Sequence, residues 1–539
     1  MESNSSRQQA TATEGRGKRQ GRTLARAVSL HLEGKRETAA SILGQAIDEG
    51  DHDPALFSAL GHIQYELRDY RAAAAAYQQL SDIEPTHRTA HFNLAICLGL
   101  LQDWGSAAES FRAAAQADGT RADALLGEGI ALLHARRPGD AIAPLEAYLT
   151  LFPDSEQALF ARGVALQQTG KTTAAVEAYR KTLARNPKHV DALSNLVTLY
   201  LERQENESVK RYSEMLVEVK SDSPVAMAAL AALAFGSGDM QAAAQYCRNL
   251  TTVAPDQFEN WYNLGVAYHR AGNFAKAAEA YQKAVAINPS STQAHLNLGV
   301  ARQELGDLAA ARASYEKALE CDPNHAPAMW NLALALEQLG ERRWAEKFYG
   351  NIPADAPEAC EASFRAGYLQ LMRGDYKKSA ESFEVCMAKR PEWGEAYLNA
   401  GISHARAGNL PAAERAFNEA LMITPGSADA ARGLAALAIE KQNFDEALDL
   451  HRQLIDMGGG SAEVFYNAGL LCQRRNQMDD AAGYYRKALE ENAQFAEALL
   501  NLGHVLRAQQ HEDEAQSCWR RALREKPELA QSYFEPSAN

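Results

Sequence analysis

No run in this 539-residue chain comes near the roughly 18 consecutive apolar residues that span a membrane. The opening residues, MESNSSRQQATATEGRGKRQG, lack the apolar h-region of a secretory leader. Cysteine is scarce. The seven, Cys97, Cys247, Cys321, Cys360, Cys386, Cys472 and Cys518, are odd in number, widely spaced and without a CxxC. That pattern excludes a disulfide framework and a cysteine zinc site, and it fits a reducing, cytoplasmic setting. Catalytic motifs are also missing: there is no HExxH, GxSxG, GxGxxG or P-loop. Of the 14 histidines only His87 and His91 stand four apart, with no carboxylate between them. No catalytic residue, cofactor-binding residue or metal ligand is assigned, and an enzyme is not expected. Positive charge is short as well, the net charge being −14. Residues 1–19 hold Arg7, Arg16, Lys18 and Arg19 against Glu2 and Glu14, so the rest of the chain is more acidic still. An acidic surface argues against nucleic acid as a partner, since such binding runs on phosphate neutralisation.

What the chain has is a period. Windows of 34 residues start at Gln20, Pro54, Arg88, Ala122, Glu156, Val190, Pro224, Phe258, Thr292, Ala326, Cys360, Gly394, Ala428, Ala462 and Ala496, filling residues 20–529 without an insertion. A strict period of this length marks stacked copies of one supersecondary unit. Such an array grows by adding neighbours and needs no second core.

The unit at Phe258–Ser291 shows the logic. Trp261, Leu264, Gly265 and Tyr268, at positions 4, 7, 8 and 11, share one helix face. Gly272 at position 15 stops that helix, and Asn273 caps or turns into the next. Ala277, Tyr281 and Ala284, at positions 20, 24 and 27, share a face of the second helix, and Pro289 at position 32 ends the unit. Position 8 is Gly or Ala in most units and position 20 is Ala in 13 of 15, the exceptions being Val209 and Ser379. These two small residues are expected where the helices cross, with the large residues filling space around them.

The register resembles the tetratricopeptide repeat family. The resemblance implies an all-α, right-handed superhelical solenoid of about 15 helix-turn-helix repeats. It also implies an inner groove, lined mainly by the first helix of each hairpin, that binds peptides or other proteins. The expected organisation is a disordered basic tail over 1–19, the array over 20–529 and a short tail over 530–539.

Four places depart from the pattern. The first unit has Thr23, Arg26 and Ala27 at positions 4, 7 and 8, which reads as a polar terminal cap. Val197 and Val209 replace the small pair in the sixth unit, so its hairpin is expected to splay. Gly350 and Pro353 should break the second helix of the tenth unit, as a hinge or as a tolerated local irregularity, and Gly458–Gly460 should loosen the thirteenth junction. At the end, Tyr533 and Phe534 begin an incipient further helix beside Cys518 and Trp519, and weak homodimerisation through this end is expected.

The groove positions implied by the family are near 2, 5, 6, 9, 12 and 13. Position 6 is asparagine in eight units: Asn93, Asn195, Asn263, Asn297, Asn331, Asn399, Asn467 and Asn501. An amide offers one acceptor oxygen and two donor hydrogens, so a row of them can pair with an extended backbone whatever its sequence. It is similar to the asparagine ladder in the repeat domain of O-linked N-acetylglucosamine transferases. The alternative is hydrogen bonding between neighbouring helices. Position 5 carries Phe92, Phe160, Tyr262, Trp330, Phe364 and Tyr466, an apolar strip explained in part by packing between adjacent first helices, with exposed members such as Trp330 as anchors for a ligand. Position 2 is acidic in eight units, from Asp123 to Glu497, which compensates the helix dipole or favours a basic segment.

The carboxylate clamp of chaperone-binding members needs Lys at positions 5 and 2, and no unit has either. The pentatricopeptide class of RNA readers runs at 35 residues with a basic groove, unlike this chain. The catalytic domain that follows the ladder in the glycosyltransferases has no counterpart here, so their activity is not expected. The resulting expectation is a protein-interaction scaffold that holds extended segments in its groove. The alternative is a non-catalytic targeting subunit for a separately encoded enzyme such as a glycosyltransferase. Cofactors, nucleic acid and membrane insertion are not expected.

Overall fold

The computed structural model describes residues 22–531, and all regular structure among them is helical. Each window of the period forms one helical hairpin. Second helices begin at position 17 throughout, from Arg36 to Glu512. First helices begin at position 1 in twelve units, from Pro54 to Ala496. The caps explain this precision. Asp69, Asp103, Asp239 and Asp307 at position 16 accept the N–H three residues on, at 2.9–3.2 Å, and Asn273 does the same for Lys276 at 3.4 Å. Ser155, Ser223, Ser291 and Ser427 at position 34 cap the following first helix.

Position 15 is left-handed in all fifteen units, whether or not it is glycine. Eight are glycines such as Gly272, while Arg68, Gln102, Arg136, Gln204, Gln442, Asn476 and Gln510 hold φ between +57° and +68°. Closure of the hairpin therefore imposes the conformation, and a side chain there bears strain of about 1 kcal/mol. Gln204→Gly is expected to stabilise the chain by about 0.5–1 kcal/mol. A denaturation midpoint that falls instead would show that the Gln204 side chain contributes more than the strain it causes.

Position 20 is wholly buried in all fifteen units, including Val209 and Ser379. The Ser379 hydroxyl donates to the Gly367 carbonyl at 2.8 Å, which makes the polar exception tolerable. Beside that contact the space over position 8 is filled by position 24 of the same unit, one of the large positions expected around the crossing. A Cβ on Gly265, Gly299 or Gly401 would stand 2.4–2.6 Å from the ring of Tyr281, Tyr315 or Phe417. In the sixth unit the sizes are exchanged: Val197 at position 8 faces a hairpin whose position 24 is Ser213, and both are fully buried.

The hairpins form two compact units, one ending at Pro255 and the other beginning at Asp256. Neither irregular place expected from sequence marks that boundary. The second helix of the tenth repeat does stop early, spanning Arg342–Gly350. The segment after it is pinned, with Ile352 in the apolar core and the Lys389 ammonium on the Ala354 carbonyl. The Gly458–Gly460 junction is close-packed where looseness was expected. The Gly459 N–H donates to Leu454 O at 2.9 Å, and a Cβ on Gly460 would stand 2.8 Å from the Phe465 ring. Trp519 turns inward, donating its Nε1–H to Leu500 O at 3.2 Å, and Cys518 is half-buried. Residues 1–19, Tyr533 and Phe534 lie outside the described residues.

Candidate functional site

The aromatic residues of position 5 form one structural rule. Each lies against the position-24 ring of its own hairpin: Phe92 on Phe111, Phe160 on Tyr179, Tyr262 on Tyr281, Trp330 on Tyr349, Phe364 on Phe383 and Tyr466 on Tyr485, at 5.3–5.9 Å between centroids. All six are half-buried, so the strip packs within its own hairpins as well as facing outward. A second layer lies outside it and was not legible as a motif. In four of these units position 34 covers the position-5 ring: Arg121 sits 4.3 Å over Phe92, His189 lies 4.6 Å from Phe160, Trp393 stacks on Phe364 at 4.4 Å and Phe495 lies 4.9 Å from Tyr466. The recurrence of rings and cations at position 34 was the available signal.

The asparagine row is partly engaged within the stack. Asn195, Asn297 and Asn501 donate Nδ2–H to the phenol oxygens of Tyr179, Tyr262 and Tyr466 in the preceding repeats, at 3.0–3.1 Å. Asn331 and Asn399 instead donate to carbonyls one turn back in their own helices, Pro327 at 2.9 Å and Glu395 at 2.8 Å. Asn93 is half-buried, Asn263 is exposed and Asn467 lines an open cleft. Asn501 is only 5 % exposed, because its helix, Ala496–Ala508, is buried on nearly all sides. The row is thus not one uniform ladder. Stacking bonds occupy some members, while others keep an amide oxygen and a second hydrogen by valence.

Two of the clefts on the first-helix face have aromatic walls. One, of about 450 Å³, is lined by Trp330, Glu337, Glu361, Phe364, Arg365, Tyr368 and Trp393. Five of these seven are at positions 2, 5, 6 and 9 of their repeats, Glu337 is at 12 and Trp393 at 34. The walls are aromatic and the charges are paired. Arg365 donates to Glu337 Oε2 at 3.1 Å and lies 5.8 Å over Trp330, while Arg390 pairs with Glu361 at 2.7 Å and lies 5.6 Å over Trp393. Glu337 also accepts the Tyr349 hydroxyl at 2.8 Å. Burial, and then that bond to a carboxylate, push the Tyr349 phenol up. The second cleft, of about 620 Å³, is lined by Ile439, Phe444, Tyr466, Asn467, Leu470, Arg474 and neighbours. Both offer apolar, aromatic walls with fixed polar groups at the edge, the usual composition of a recognition site.

Other groups play lesser parts. The position-2 carboxylates are partly neutralised, as Lys526 does for Glu497 at 2.6 Å, holding that carboxyl below its usual range. Five cysteines are buried fillers, and burial pushes the Cys97 and Cys247 thiols up to about 11, which keeps them protonated. Cys321 is exposed. Among the described residues no helix is long and apolar enough to cross a membrane.

Models of the tetratricopeptide repeat match residues 58–122, 101–156, 160–208, 259–291, 292–325, 398–462, 431–497 and 496–529, more than half of the chain. The chain belongs to the tetratricopeptide repeat family. As an array of these repeats it is, broadly, a protein-interaction scaffold. The stretch 326–397, which forms the first cleft, lies between the matches yet keeps their alternation of two helices per repeat. No curated protein matches the chain. Similar solved structures include the MamA protein, 25% identical over 32% of this chain and 93% of its own, TM-score 0.29. YrrB, described as a TPR protein with an unusual peptide-binding site, is 19% identical over 35% of this chain and 98% of its own, TM-score 0.32. The Cut9–Hcn1 hetero-tetramer of the APC/C is 14% identical over 90% of this chain and 96% of its own, TM-score 0.27.

Proposed function

We propose that the chain binds an extended protein segment along its first-helix face, with a large apolar side chain of that segment seated between Trp330, Phe364, Tyr368 and Trp393. The observation that carries this reading is the cleft itself: aromatic walls whose neighbouring charges are already paired, so that an apolar group enters without stranding a charge. The net charge of −14 favours a basic segment around that anchor. Amides such as Asn331, Asn399 and Asn467, at position 6 of alternate repeats, would hold its backbone.

A photo-crosslinking residue placed at Tyr368, and another at Val385 on the second-helix side, test this in native lysate. Both positions are exposed, at 47% and 43%. Client segments are expected to label from Tyr368 and not from Val385, and equal labelling from both would sink the proposal. Diverse clients fit the scaffold, whereas a single recurring enzyme would favour a targeting subunit. The triple substitution Asn331→Ala, Asn399→Ala and Asn467→Ala should weaken a crosslinked segment's affinity by about tenfold or more with little loss of helicity, each lost backbone bond contributing about 0.5–1.5 kcal/mol. Unchanged affinity would leave the amides with a packing role alone.

A further inference from the structure

We propose that His31, His62 and Glu66 form a zinc-binding site on the first two hairpins. His31 lies in the first helix, residues 22–32, and His62 and Glu66 stand one turn apart near the end of the helix Pro54–Glu66. The fold brings one ligand atom of each within 4.8 Å of the others. His31 Nε2 is 2.8 Å from Glu66 Oε2, His62 Nε2 is 3.4 Å from Glu66 Oε1, and the two rings lie 6.0 Å apart. Zinc holds nitrogen and oxygen ligands at about 2.0–2.1 Å in a tetrahedron, so neighbouring donors need to stand about 3.3 Å apart; His62 and Glu66 Oε1 already do, and His31, hydrogen-bonded to Oε2, would turn toward Oε1. Two imidazoles and one carboxylate are a donor set that suits this ion.

One feature opposes the cation. Arg36 donates Nε–H to Glu66 Oε2 at 2.7 Å, placing a guanidinium beside the carboxylate. The ion would take Glu66 Oε1 and the two Nε2 atoms, leaving Arg36 on Oε2 as an outer hydrogen bond that weakens the site by charge. In register these ligands are position 12 of the first repeat and positions 9 and 13 of the second, which are groove positions. The fourth coordination position therefore points to the side from which a segment would arrive, open to water or to a carboxylate or imidazole of a partner. Neither composition nor spacing shows this site, because His31 and His62 are 31 residues apart.

The full chain, stripped with chelator, is titrated with ZnCl2 by calorimetry, and with CoCl2 by visible absorption. One zinc per chain above any weak histidine background is expected, with cobalt giving intense tetrahedral bands. His62→Ala, whose side chain is 61% exposed and carries no core contact to lose, and Glu66→Gln should each lower affinity by roughly tenfold or more. Arg36→Ala should raise it. The proposal is overturned if His62→Ala binds zinc as the parent chain does, if cobalt shows only weak octahedral bands, or if Arg36→Ala weakens binding while remaining folded by circular dichroism.

Discussion

Gly299→Val is expected to destabilise its repeat by about 3 kcal/mol, the upper part of the range for overpacking a filled core. A Cβ at Gly299 would stand 2.4 Å from Cε1 of Tyr315, a ring with no exposed surface. The ring cannot swing aside freely, since its hydroxyl donates to Gln303 at 2.8 Å. Against this, β-branched valine gains only about 0.3–0.5 kcal/mol of helix propensity over glycine, too little to reverse the sign. Tyr315→Ser alone should cost about 3–5 kcal/mol through the cavity it leaves. The two together should cost less than their sum by at least about 1 kcal/mol, because the double variant copies the Val197 and Ser213 arrangement of the sixth repeat. Hydrogen exchange over helices Thr292–Glu304 and Leu308–Cys321 reads the effect locally, which suits an array whose stability sums over neighbours. Strictly additive losses would show that positions 8 and 24 do not share one space.

The second large effect concerns recognition. Trp330→Ala should weaken binding of a crosslinked segment by about 30-fold or more, the loss typical of a buried aromatic anchor. Tyr368→Ala should cost about tenfold and barely alter stability, since Tyr368 is 47% exposed. Trp344 is the control. It is 51% exposed on the second helix of the tenth repeat, as large and as apolar, but away from the cleft. Trp344→Ala is expected to leave the affinity unchanged when measured by fluorescence anisotropy. If Trp344→Ala costs as much as Tyr368→Ala, the cleft is not where the segment lies.

Much of this architecture was readable from residue spacing. Gly272, Asn273, Ala277 and Pro289 mark the turn, the cap, the contact and the end of a hairpin, and the helices fall on those marks. These signals are local: each acts within one turn of the helix it starts, stops or packs. What spacing did not show is which residue fills which gap. Large residues at positions 4, 11 and 24 are all expected around the crossing, and only the structure shows that it is Tyr315, at 24, whose ring closes on Gly299. The row of asparagines looked uniform, yet Asn297 reaches back to Tyr262 while Asn399 bonds its own helix. Trp393 at position 34 was not read as part of any site, although it stacks on Phe364.

The amino-acid sequence alone determined the 34-residue unit, its two helices and their buried faces, because helix periodicity, capping and the left-handed turn are short-range properties. Only the tertiary structure decided the division after Pro255, the ring layers over position 5, the cleft between Trp330 and Trp393 and the meeting of His31, His62 and Glu66. Those depend on residues of separate helices that approach only when hairpins close and stack. The geometry of that approach is set by the volumes of many side chains together.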